Sequence, residues 1–61
     1  MLQPRDYYRA ATYLLGRYGD DAVQRASNRA TELHAQGEAN LHAIWKVLAA
    51  TLSEIRVQKA G

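Results

Sequence analysis

Several groupings of side chains in this 61-residue chain have types and spacings that chemistry uses. His34, Glu38 and His42 recur every four residues, and on one continuous helix they would line up two imidazoles and a carboxylate, a donor set that suits zinc. Gly37 falls inside the run and interrupts it, so the three side chains need not converge, and no metal site is assigned. Ser27 and His34 share one side of a helix but stand two turns apart, about 10.5 Å along its axis. That spacing denies the hydrogen bond by which a base activates a nucleophile. Asp20 and Asp21 are adjacent carboxylates at a helix start, where capping and the helix dipole favour them, and acid–base work would need a pocket and a partner of different character. The glycines Gly16, Gly19, Gly37 and Gly61 stand singly, so no loop cradles a phosphate, and the absence of Cys excludes thiol chemistry. The expectation is a non-enzymatic protein with no catalytic residues and no cofactor.

Two further groupings bear on binding. Arg9, Tyr13 and Arg17 recur at intervals of four, so two guanidinium groups flank a ring on one side of a helix. Such a stripe contacts a carboxylate, a phosphate or an apolar partner, although Arg stems lying along an exposed Tyr would look the same in sequence. Gln24, Arg25, Asn28 and Arg29, with Ser27 among them, follow a short corner, and these types read base edges and grip phosphates in a helix-turn-helix. Against that use, Asp20 and Asp21 bring negative charge to where a phosphate would approach.

The elements that must carry these residues are helices. Pro4 suits a first helical position and Asp6 adds negative charge near the positive end, which starts a helix at 4 and runs it to Tyr18. Gly19 stops it in the left-handed conformation, with Asp20 placed to cap the next helix. The second helix spans 21–36 and ends at Gly37, and Glu38 or Asn40 opens the third, over 40–58. A corner this short between long helices predicts an antiparallel hairpin of the first two. At 100° per residue, Tyr7, Ala11, Leu14, Leu15 and Tyr18 share a side of the first helix, and Val23, Ala26, Ala30 and Leu33 form a narrow stripe on the second. On the third, Leu41, Ile44, Trp45, Leu48, Leu52 and Ile55 make a broad apolar face, with His42, Lys46, Ser53 and Glu54 away from it. The fold class is all-α: a small three-helix bundle, or a helical hairpin with an extra helix, in a single domain of residues 1–61.

Composition sets the remaining limits. A chain that is 48% hydrophobic and 23% charged falls with folded domains, and its formal charge of +2 is too mild to mark a nucleic-acid binder unless it is concentrated on one face. The opening apolar residues are broken by Arg5, Asp6 and Arg9, so no secretory signal is read, and no run approaches the roughly 20 apolar residues that span a bilayer. A cytoplasmic location is expected. A chain this short buries only about 60% of its unfolded surface, and with no Phe and no disulfide it has little margin. Self-association is the economical remedy, and a marginally stable monomer is the alternative, since many domains of this length fold unaided.

The segments RYGDDA at Arg17–Ala22, RATELHAQGE at Arg29–Glu38 and IWKVL at Ile44–Leu48 resemble a group of very short bacterial proteins of unknown function, chiefly from alphaproteobacteria. The resemblance covers most of the chain and implies an intracellular bacterial helical domain, with no site residues to carry over. The leading expectation is therefore an interaction module, a homodimer or a unit that docks on another protein. Leu41, Trp45, Leu48 and Leu52 are its apolar anchors, and Arg9, Tyr13 and Arg17 a second contact. The alternative is a small DNA-binding regulator using Gln24, Arg25, Asn28 and Arg29.

Overall fold

The computed structural model describes the backbone of residues 3–60 and the side chains of residues 3–57; Gly61 lies outside the described residues. Three α-helices follow one another: α1 (Pro4–Tyr18), α2 (Ala22–Ala35) and α3 (Ala39–Ala60), with a single turn of 3₁₀ helix over Gly19–Asp21 between the first two. The fold is all-α. At about 1.5 Å per residue the 22 residues of α3 reach about 33 Å, so this helix sets the long dimension of the 36 × 23 × 17 Å particle.

The boundaries have local chemical causes. Pro4 occupies the first turn of α1, and the Asp6 carboxylate accepts a hydrogen bond from the Gln3 backbone N–H at 2.9 Å, which holds the chain where the helix begins. Gly19 ends α1 at φ 59°, a left-handed value that a side chain would make costly, and donates its N–H to the Leu15 carbonyl. Gly37, at φ 78°, closes α2 in the same way. Its N–H reaches the His34 carbonyl at 3.1 Å and the Glu38 N–H reaches Leu33 at 2.9 Å, so carbonyls that the helix end would leave bare are satisfied. The Glu38 carbonyl then accepts the His42 N–H at 2.9 Å, the first bond of α3.

Two expectations about the first corner are corrected. Asp20 does not cap α2: no side-chain cap bond forms there, and the Asp20 carboxylate instead lies 3.7 Å from the Arg56 guanidinium of α3, both groups being well exposed. The 3₁₀ turn supplies the backbone bond that a cap would have provided, its last N–H returning from Ala22 to the Gly19 carbonyl. Nor do α1 and α2 form the hairpin. They touch little, whereas α3 packs along both and most extensively along α2, so the close pair is α2 with α3.

Packing follows the small residues. Ala11 of α1, Ala22 and Ala26 of α2 and Leu52 and Ile55 of α3 form one buried cluster, against which Leu14, Leu15, Tyr18, Val23, Trp45 and Ala49 pack with part of their surface open. Ala30, Leu33 and Leu48 are buried as well. Among the described residues, four of the eight buried hydrophobic side chains are thus alanines. They let α3 come close to its neighbours, yet each removes little apolar area from water. The only large side chains that are completely buried are Leu33 and Leu52, among the described residues.

Candidate functional site

The four anchors expected on the third helix divide into two kinds. Leu48 and Leu52 lie inside the fold, 6% and 0% exposed, so their surfaces are spent on the protein's own core. Leu41, in the first turn of α3, is 43% exposed, and Trp45 is half-buried against the core cluster. Sequence periodicity missed Tyr8 on α1 and Val47 on α3, both exposed, which line one groove of about 390 Å³ together with Pro4, Tyr7, Thr51 and Glu54. No single heptad-like face marks them, because α3 carries apolar residues on several sides and only its packing against α1 and α2 decides which ones stay outside.

Trp45 lines a second groove, of about 170 Å³, to which all three helices contribute. Leu14 and Tyr18 come from α1, Arg25 and Arg29 from α2. The Arg25 guanidinium sits 4.4 Å from the centroid of the Tyr18 ring and that of Arg17 5.8 Å from it, both within cation–π range. Arg17 therefore engages Tyr18 and not Tyr13. Arg9, Tyr13 and Arg17 are all exposed, Tyr13 at 64%, so the stripe read from sequence exists as a surface but leaves its ring open.

The residues of the DNA-reading alternative also share one exposed side of α2. Each has a partner within the chain. Gln24 donates its side-chain amide to the Asn28 side-chain oxygen at 2.9 Å, Arg29 lies 3.4 Å from Glu32, and Arg25 covers Tyr18. Such exposed contacts are weak, so the side chains are available to an outside ligand at small cost.

The end of the particle opposite the 3₁₀ corner holds a pairing that sequence spacing missed. His42, expected to face away from the core, is instead half-buried, with Nδ1 2.7 Å from the Ala30 carbonyl of α2. His34 and His42 do converge, their ring centroids 5.0 Å apart and their planes tilted by 46°. The cause is the Gly37 turn, which folds α3 back along α2 and so brings together residues that a straight helix would merely stack. Glu38 does not join them: among the described residues no three His, Cys, Asp or Glu side chains gather in a cluster able to hold a metal ion. Ser27 and His42 border a common groove with Thr31 and Lys46, but no hydrogen bond joins the hydroxyl to the ring among the described residues. No helix among the described residues is long and apolar enough to cross a membrane. No protein-family model, curated protein or solved structure matches this chain.

Proposed function

We propose that this chain is a non-enzymatic helical interaction module that works by pairing with a second copy or by docking on another protein. The observation that carries the reading is the distribution of its apolar residues: among the described residues half of the buried hydrophobic side chains are alanines, while Tyr8, Tyr13, Leu41, Val47 and Val57 remain substantially exposed. A small domain with so thin a core gains most by covering such side chains against a partner. The groove around Trp45 adds the residue types that dominate contact energies, an indole and a phenol ring edged by two guanidinium groups.

Sedimentation equilibrium of the pure chain tests self-pairing. The expected result is a mass that rises above the 6.8 kDa of one chain as concentration increases, reduced by Leu41→Asp without loss of helical circular dichroism. A mass fixed at that of one chain over the whole range removes the homodimer and leaves docking on a different protein as the form of the proposal.

DNA binding through α2 is the second reading, favoured by the common exposure of Gln24, Arg25, Asn28 and Arg29 behind a three-residue corner that opens with glycine. If it holds, the Arg25→Ala, Arg29→Ala double variant lowers the slope of log affinity against log salt by about 2, one phosphate contact for each arginine. The absence of any mobility shift with duplex DNA at low salt discards it.

A further inference from the structure

The His34–His42 pair at the α2–α3 turn is used by neither the core nor the association surface, and its geometry points to a binding site for one imidazole-preferring divalent transition-metal ion, of which zinc is the simplest probe. A carbonyl oxygen only accepts hydrogen bonds, so the 2.7 Å contact to Ala30 requires the hydrogen of His42 to sit on Nδ1. That leaves Nε2 with a free lone pair. Among the described residues it has no hydrogen-bond partner, and since no fully buried side-chain nitrogen or oxygen there lacks one, it keeps some contact with solvent. An unpartnered ring nitrogen on an imidazole whose opposite N–H is held by a backbone carbonyl is the arrangement that fixes the tautomer and orientation of metal-bound histidines.

The second ring is at the right distance. A metal–nitrogen bond of about 2.0–2.1 Å and a near-tetrahedral angle place the centres of two coordinated imidazoles roughly 5 Å apart, and the observed separation is 5.0 Å. His34 is exposed, so its ring turns toward the ion at little cost. Two nitrogen donors without a clustered carboxylate select zinc, nickel or copper over magnesium and calcium, which need oxygen ligands. Water fills the remaining positions. Lys46, one turn along α3 and bordering the same groove as His42, opposes the added charge and keeps the affinity below that of a site with four protein ligands.

Calorimetric titration of the purified chain with Zn²⁺ and Ni²⁺, with Mg²⁺ as the control, tests the site, and ¹⁵N chemical shifts of the histidine rings report the atom used. Expected are saturable Zn²⁺ and Ni²⁺ binding with none for Mg²⁺, a shift of the His42 Nε2 resonance on Zn²⁺ addition, and a loss of about tenfold or more in Zn²⁺ affinity in His34→Ala. His34 is exposed, so that variant keeps its fold, and unchanged circular dichroism verifies it. Zn²⁺ binding that His34→Ala leaves intact, or a His42 Nε2 resonance that does not move at millimolar Zn²⁺, overturns the inference. Either outcome stands apart from the association experiment, which involves neither histidine.

Discussion

Leu48→Asp is expected to leave the chain unfolded at 25 °C, with loss of helical circular dichroism and collapse of amide proton dispersion. Leu48 is buried in the middle of α3, and its replacement has two costs. Removing the leucine forfeits roughly 1.5–3 kcal/mol of apolar burial, and a carboxylate placed there without a partner adds several kcal/mol more. The total has to be compared with what the fold holds. At roughly 0.05–0.15 kcal/mol per residue, a chain of this length is stable by about 3–9 kcal/mol, so the substitution consumes most or all of it. Leu41→Asp is the companion: the same chemical change two turns earlier, at a side chain already 43% exposed, should preserve the fold and weaken only association. A Leu48→Asp chain that melts like the parent shows that α3 is not packed as described.

That contrast marks how far the sequence could be read. The helix limits were legible because each rests on a residue with one dominant property: Pro4 with its fixed φ, and Gly19 and Gly37, which take the positive φ that other residues avoid. The stripe of Ala26, Ala30 and Leu33 was legible for a related reason, since α2 has polar residues on every other side and a single apolar face remains. Helix α3 gave no such choice. Leu41 and Leu48 belong to the same periodic face, yet one is exposed and the other buried, and periodicity alone does not say where along a face the neighbouring helices cover it. Val47 and Tyr8 were invisible to periodicity for a different reason: they border one groove only because α1 lies against α3.

The candidate sites were legible in proportion to how local they are. Arg9, Tyr13 and Arg17 stand one helical turn apart and do form a surface, although Arg17 leans to Tyr18, its immediate neighbour and a half-buried ring. Asp20 faces Arg56 and His42 faces Ala30, contacts across 36 and 12 positions that depend on the angles between helices. Spacing along a chain contains no information about those angles. His34 and His42 show this most directly: the glycine that argued against their meeting is the residue whose conformation brings them together.

Leu52→Ala should be one of the most destabilising truncations in the chain. Leu52 is completely buried, and three of its four cluster partners, Ala11, Ala22 and Ala26, have no rotatable atoms to move into the space a truncation leaves, which restricts collapse to Ile55 and the partly open side chains packed against the cluster. The cost of a Leu→Ala change runs from about 2 to 5 kcal/mol and is greatest where the surroundings cannot collapse; this site belongs at the upper end. Urea titration at one fixed protein concentration measures it, since pairing of copies would otherwise add its own contribution to stability. The expected result is a large fall in the midpoint with an unchanged slope, because the surface exposed on unfolding scarcely alters. Val57→Ala, at a position 69% exposed near the end of the same helix, should change stability by no more than about 0.5 kcal/mol. Equal midpoints for the two variants would mean that Leu52 does not fill the space between three helices. The association surface, which is defined as what lies outside that packing, would then have to be redrawn.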